Sequence, residues 1–362
     1  MSDPKLCAYN DERDSFLGGK FPREFRWSLA TAAYQIEGGA HQDGKGDNIW
    51  DVWSHGSTNG SCNVDQCQNG DVACDSYNQM DRDLANIISM GVKNYRFSFS
   101  WARLLPCGKQ TCINKIAVEH YSKWIDMLIA SDITPFVTLY HWDLPQVLHE
   151  AYGGWISDQI IHDFSDYSRL CFELFGDRVK FWITINEPSE VADEGYGTAT
   201  MAPGIFGPNT TQWIARHNTV RAHAAAWHIY DTEFRSSQHG RVGITLNTDW
   251  IEPITENDVY ASRVDWAFTL GYWAEPIYLT GDYPQEVKQT LANLNISLPV
   301  FNTTEIKRNL GSSDFFGVNH YTTSLVSACS IGTEDCDFGF YESVCSNWPT
   351  AGSSWLSSNP YG

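Results

Sequence analysis

The sequence predicts an α/β chain built as a (β/α)8 barrel, and three observations carry that reading. Short apolar or aromatic runs alternate with helix-like stretches along 362 residues, with no internal repeat and no Pro/Gly/Ser linker to divide them. Polar side chains gather where the apolar runs end, which is where barrel sites form. No glycine-rich phosphate turn follows a strand, as a doubly wound sheet would require. The length suits two ordinary domains or one large barrel. A hydrophobic content of 42% and an aromatic content of 14% supply a large core. The formal charge of −20 repels phosphate backbones, so nucleic acid is not an expected partner. No apolar run approaches 18 residues, so no membrane span is expected.

Taken in order, residues 25–34 (FRWSLATAAY) are the first strand candidate; Gln35 and Glu37 follow it, and Gly38 and Gly39 permit a sharp turn. The next candidates are 94–101 (NYRFSFSW), 134–142 (TPFVTLYHW) and 179–186 (VKFWITIN). The last two are 241–247 (RVGITLN) and 313–322 (SDFFGVNHYT). Helical patterns lie between them at 76–90, 117–130, 156–175 and 218–235. Within 117–130, Val118, Tyr121, Ile125, Leu128 and Ile129 form one apolar stripe. The run GAHQDGKG at 39–46 has a P-loop core but lacks the following Ser or Thr and opens no apolar helix, so it is not read as a phosphate site.

His141 and Asp143 end or follow the third strand, Asn186 and Glu187 the fourth, and Asn319 and Tyr321 the sixth, so all face one mouth of a barrel. In FWITINEP (181–188) the strand runs into Asn186 and Glu187 and is stopped by Pro188. A carboxyl beside an amide and aromatics can have its pKa raised enough to act as an acid at neutral pH; the plainer reading is a surface Glu in a loop. His141 and Trp142 can hydrogen-bond to and stack on a sugar ring, or be a core histidine packed by its tryptophan. Gln35 offers a bidentate amide. Arg96, inside an aromatic strand, needs a buried acceptor, either a functional carboxylate or a structural one. His217, His223 and His228 lie at gaps of six and five on one helix and do not share a metal-binding face. Thr255-Glu256-Asn257 reads as loop, and no G-x-S-x-G elbow occurs.

Five of the ten cysteines cluster at Cys62, Cys67, Cys74, Cys107 and Cys112. Gaps of four, six and four residues fit small disulfide loops better than a zinc site. With N-x-S/T sequons at Asn59, Asn209, Asn295 and Asn302, they favour a secretory-type compartment, extracellular or lysosomal. The opening residues lack an apolar leader, which keeps a cytoplasmic location as the alternative.

Eight segments in order resemble glycoside hydrolase family 1, the β-glucosidase family, most closely its animal lactase-phlorizin-hydrolase-type domains. They are AAYQIEG (32–38), GKGDNIWD (44–51), GDVACDSY (70–77), YRFSFSWAR (95–103), VTLYHWDLP (137–145), GDRVKFWITINEP (176–188), GDYP (281–284) and FGVNHYT (316–322). The resemblance runs from about residue 20 to the end. It implies a (β/α)8 barrel that hydrolyses β-linked glucosides or galactosides with retention, without cofactor or metal. Glu187 would be the acid/base. Gln35, His141, Asn186 and Glu187 would line the glycone pocket, with Trp142 behind them. Asn319 and Tyr321 match the strand-six pair, the Tyr touching the nucleophile, and Arg96 matches the arginine that holds that carboxylate.

One departure stands out. Retention needs two carboxylates about 5–5.5 Å apart. The family's nucleophile lies in an I/V-T-E-N-G motif ending strand seven, which this sequence does not contain. Thr255–Asn257 falls before strand six and so does not fill the role; only measured turnover by this sequence alone would point to a substitute carboxylate at Glu256 or Glu190. The expectation is an incomplete barrel with strands one to six over residues 21–362, after an N-terminal extension over 1–20. It would be a fragment, a partial gene product or a short isoform, its residues 348–362 resembling the loop before the missing part. The edges left on strands one and six would invite aggregation. The alternative function is a non-catalytic, klotho-like glycan- or protein-binding homologue.

Overall fold

The computed structural model describes residues 20–58, 60–329, 338 and 340–344. The Asn59 sequon, residues 1–19 of the expected extension and the ending at 348–362 lie outside the described residues. Six parallel strands form one sheet in chain order: β1 (Ser28–Ala30), β2 (Asn94–Ser98), β3 (Thr134–Tyr140), β4 (Phe181–Asn186), β5 (Arg241–Asn247) and β6 (Phe316–Asn319). Every neighbouring pair is parallel, from Leu29 opposite Tyr95 to Asn247 opposite Asn319. This is the strand sequence of a (β/α)8 barrel, carried as far as its sixth strand. A separate small sheet joins Trp250–Pro253, Thr323–Ala328 and Phe340–Val344.

Helices cover the outer face: α1 (Met80–Ser89), α2 (Lys115–Ala130), α3 (Gln159–Phe175), α4 (Pro188–Tyr196) and α5 (Thr211–Ile229) are the principal ones before β5. Alternation along β2 sorts its side chains. Tyr95 packs edge-on against Trp124 of α2, and Phe99, just beyond the strand, packs on Tyr121 of α2 and Phe175 of α3. Arg96, between Tyr95 and Phe97, is thereby turned to the barrel interior. The stripe of α2 is rotated from the expected one. Ala117, Tyr121, Trp124, Ile125 and Leu128 are buried, whereas Ile129 is exposed. Trp124 carries the largest apolar area on the helix and takes the sheet-facing position, leaving Ile129, about 100° further round than Leu128, outside the contact.

The first strand is shorter than its apolar run suggests. After Ala30 the ladder continues only through the Thr31 N–H to the Arg96 carbonyl. The Ala33 N–H is then taken by Ser98 Oγ at 2.7 Å, and residues Ala33–Ile36 form a helical turn. Gln35 and Glu37 therefore sit on and after a turn, not directly on a strand end. Gly38 follows at φ 64°, where an added Cβ would meet the Val72 carbonyl oxygen at 2.1 Å. At the other end, 218–235 belongs to a helix that starts earlier, at Thr211, and loosens into a π turn over Tyr230–Phe234. The outer strands leave apolar groups uncovered: Phe25, Trp27, Phe316 and Val318 are all exposed, and Phe21, Phe25 and Trp27 cluster with ring centroids 4.2–5.1 Å apart.

Buried charge anchors the turn after β1. Arg103, almost fully buried, donates to Glu37 Oε2 at 2.9 Å and to the Gly38 carbonyl at 2.9 Å, and lies 4.0 Å from the Tyr77 ring centroid. Tyr121 donates to the other Glu37 oxygen at 2.6 Å. Lys45, the lysine of the P-loop-like run, is held by buried Asp51 at 2.5 Å and is not presented to a phosphate. Removing one partner of a buried pair strands the other charge without water. Glu37→Ala is expected to lower unfolding free energy by about 3–5 kcal/mol, measured by urea denaturation; a loss below about 1 kcal/mol would show that Arg103 is solvated by other means.

Candidate functional site

The strand ends bring Arg96, His141, Trp142, Asn186, Glu187 and Asn319 together. The backbone prepares the place. The register between β4 and β5 shifts between Ile183 and Asn186, and the Glu187 N–H is then bonded to the Thr245 carbonyl at 2.8 Å. Glu187 lies at φ 46° and Trp142, past the end of β3, at φ 77°. For side-chain-bearing residues such conformations cost about 1–3 kcal/mol each and survive only where the surroundings enforce them. Trp142 Nε1 donates to the Asn186 carbonyl at 2.8 Å, joining the two bent segments.

Asn186 is buried at the centre. Its Oδ1 accepts from Arg96 Nη2 at 2.5 Å and from Asn319 Nδ2 at 3.3 Å, while its Nδ2 donates to His141 Nε2 at 3.2 Å. The imidazole is an acceptor there because burial, reinforced by the Arg96 charge, pushes its pKa down to about 3. Glu187 is 6% exposed, and its Oε1 accepts from Asn319 Nδ2 at 2.5 Å. Arg96 also donates to Thr138 Oγ1 at 2.9 Å. Its hydrogen-bond acceptors among the described residues are thus neutral, where a carboxylate was expected. Burial draws the guanidinium pKa down to about 10 against the opposing pull of Glu187.

Not every expected residue joins this group. Gln35 is exposed on its helical turn, and Tyr321 is 77% exposed at the rim. Asp143 is fully buried on the far side of its strand end, among Glu37, Lys45 and Asp51, and burial raises its carboxyl well above the ordinary range. The left-handed backbone of Trp142, at φ 77°, breaks the alternation that would have set Asp143 on the side of His141, so Asp143 is an interior acid, not a mouth-facing one. The three helix histidines go to three partners: His217 to Tyr283 Oη, His223 to Thr184 Oγ1 and His228 to the Arg308 carbonyl. Thr255 caps a short exposed turn, Glu256–Asp258, away from these strand ends.

A cavity of about 490 Å³ opens beside Glu187, within the range of small-molecule sites. Its walls include Trp142, Glu190, Asn247 and Tyr321. Asn247 was not singled out from the sequence, although it ends an apolar strand just as Asn186 and Asn319 do. Its Nδ2 donates to Glu190 at 2.7 Å and its Oδ1 accepts from Ser189 Oγ. Burial is the main cause that pushes the Glu190 carboxyl up to about 7; Asn247 opposes it, and Asp193, Glu187 and Glu194 add to it.

A parallel barrel with a carboxylate, three amides, an imidazole and a tryptophan at its strand ends can bind a ring of hydroxyls and exchange a proton with it, the equipment of a barrel glycosidase. The comparisons make the class specific. Residues 17–362 match glycosyl hydrolase family 1, and the chain belongs to that family. It is 44% identical to the lactase-like protein of Homo sapiens over 99% of this chain and 66% of that protein. It is 43% identical to lactase/phlorizin hydrolase of Rattus norvegicus over 99% of this chain, which spans 19% of that much longer protein. The crystal structure of a rice Os3BGlu6 beta-glucosidase superposes with a TM-score of 0.83 at 39% identity, covering 89% of this chain and 70% of the rice chain.

Glu190 supplies a pH test of the cavity's electrostatics. Its folded-state pKa is raised from 4.5 to about 7, so the folded protein holds a proton there that the unfolded chain releases. Its contribution is therefore most favourable below pH 4.5 and declines as pH rises towards 7. Glu190→Gln should remove that decline, so the variant gains on the wild type between pH 5 and pH 8 in urea unfolding; a constant difference would refute the shift.

Proposed function

We propose that Glu187 is the general acid/base of a retaining β-glycosidase acting on O-linked β-glucosides or β-galactosides. The observation that carries this reading is the Glu187 carboxyl itself, buried at a strand end, held by Asn319 and facing a cavity of sugar dimensions. In the first step the protonated carboxyl gives its proton to the glycosidic oxygen as a second, nucleophilic carboxylate bonds to C1 and the bond from C1 to that oxygen breaks. In the second, the carboxylate takes a proton from the water that attacks C1 and displaces the nucleophile. Asn186, Asn319, His141 and Gln35 are the proposed glycone contacts, with Trp142 as the packing surface. Arg96, lacking a carboxylate hydrogen-bond partner among the described residues, is positioned to hold a nucleophilic carboxylate, and Tyr321 at the rim to touch it. That nucleophile is not identifiable within these 362 residues, so the activity belongs to a protein that supplies it.

A second reading, a non-catalytic glycan- or protein-binding homologue or inactive short isoform, is supported by 42% identity to Klotho of Macaca fascicularis over 85% of this chain and 32% of that protein. Kinetics separate the two. The 362 residues alone should not turn over an aryl β-glucoside; a rate within about a hundredfold of an active homologue would overturn the role assigned to the absent nucleophile. In a chain that carries the second carboxylate, Glu187→Ala should slow substrates with poor leaving groups by about 10²–10⁴ and activated aryl glycosides much less. Azide should restore the second step and yield a β-glycosyl azide. Equal losses for all leaving groups would remove Glu187 from the role.

We place the protein in an oxidising, secretory-type compartment, extracellular or lysosomal, on the support of the Cys62–Cys67 and Cys107–Cys112 disulfides. Cys74 and Cys171 are free, and among the described residues no helix is long and apolar enough to cross a membrane. Peptide mapping without reduction should recover both linked pairs from the native source; free thiols at all four positions would favour the cytoplasmic alternative.

A further inference from the structure

The cavity beside Glu187 carries more negative charge than the proposed reaction uses. Glu190 stands one helical turn beyond Glu187, on the first turn of α4. The titratable groups that act on it or feel it are Glu187, Asp193, Glu194 and Tyr321, and Asp249 and Arg216 share its cavity. Arg216 is the one cation among the described residues lining that space, and its charge is already engaged. It donates through Nε to Asp193 Oδ1 at 2.6 Å, through Nη2 to Asp193 Oδ2 and through Nη1 to the Phe268 carbonyl at 3.0 Å. The rings of Trp213, Tyr272 and Trp273 enclose it at 4.7–5.0 Å. Asp193 is therefore neutralised, whereas among the described residues Glu190 is bonded to the neutral Asn247 and Asp249 to the neutral Ser324 Oγ, at 3.2 Å.

A surface carboxylate left to water needs no cation. These two differ because they line a concave space whose other walls include Trp142, Ile251 and Tyr321, and a ligand filling it would strip their water. A neutral leaving group would leave the carboxylates desolvated without a counter-charge, while a protonated amine would form a charge-assisted hydrogen bond. We propose, building on the glycoside reading above, that Glu190 is a specificity residue selecting β-glycosides whose leaving group carries a protonated amine. The glycone contacts lie deeper, around Asn186, so this selection acts on the leaving-group side of Glu187. Burial and the neighbouring acids hold the Glu190 carboxyl near pH 7, so the preference strengthens as pH rises through neutrality.

The test is isothermal titration of the full chain with 2-aminoethyl β-glucoside and 2-hydroxyethyl β-glucoside, which match in shape and differ in charge. At pH 8 the amine should bind about tenfold more tightly; at pH 5.5, with both amine and Glu190 protonated, the ratio should fall. Glu190→Gln should lower the ratio at pH 8 severalfold, Asp249 keeping the remainder. The wild-type pH series decides the matter alone if that variant does not fold. Equal affinities in the wild type at pH 8, or a ratio that Glu190→Gln leaves unchanged, would overturn the proposal and leave the glycoside reading intact. A chain that carries the second carboxylate, is folded and binds neither glucoside would overturn both.

Discussion

The carboxamide of Asn186 ties four strands together at one buried point. Through Oδ1 it receives Arg96 from β2 and Asn319 from β6, through Nδ2 it reaches His141 past β3, and its own strand is β4. A neutral amide is suited to this work because it offers donor and acceptor at once without the desolvation cost of a charge. Its acceptor quiets the Arg96 guanidinium, and its donor requires an unprotonated His141 Nε2. Withdrawing it would orphan a buried cation, so its structural weight exceeds the about 0.5–1.5 kcal/mol of an ordinary hydrogen bond.

Two bent backbone segments depend on that point. Glu187 and Trp142 both take left-handed conformations, and the indole bond to the Asn186 carbonyl couples them. The β4 irregularity turns Glu187 towards Asn319 and the cavity, and Pro188 starts α4 at once, so Glu190 arrives one turn later on the same side. On the opposite flank, Arg103 and Tyr121 hold Glu37, which fixes the turn carrying Gln35. The site is thus braced from behind by buried ionic and amide contacts while its open side carries the exposed Tyr321 and half-buried acids. That division fits binding of a polar ring, whose hydroxyls need fixed partners and whose faces need flat apolar surface.

Much of this was legible in the residues. Alternating apolar runs and helical stripes marked the parallel sheet, and the Asn-Glu-Pro ending of β4 marked a candidate site because Pro stops a ladder and leaves two polar side chains at its end, although those residues alone fit a surface loop Glu as well. The cysteine spacings pointed to short loops, and two closed as such. Asn247 carried the same strand-end signal and was overlooked because no chemistry-bearing neighbour stands beside it in the sequence. The α2 stripe was misjudged by one position, since periodicity counts apolar residues equally and packing ranks them by area.

What the sequence by itself determined was the local chemistry: which segments are apolar enough to be strands, where prolines and glycines must break them, and which polar groups stand at their ends. What only the tertiary structure decided was partnership. Among the described residues Arg96 bonds Thr138 and Asn186, a pairing its sequence position did not disclose; Asp143, two residues from His141, is sealed among Glu37, Lys45 and Asp51 and away from the cavity. The reason is physical: hydrogen bonds and desolvation act over a few ångströms between residues as far apart in the chain as Arg96 and Asn186, and their geometry exists only once the strands are aligned in register.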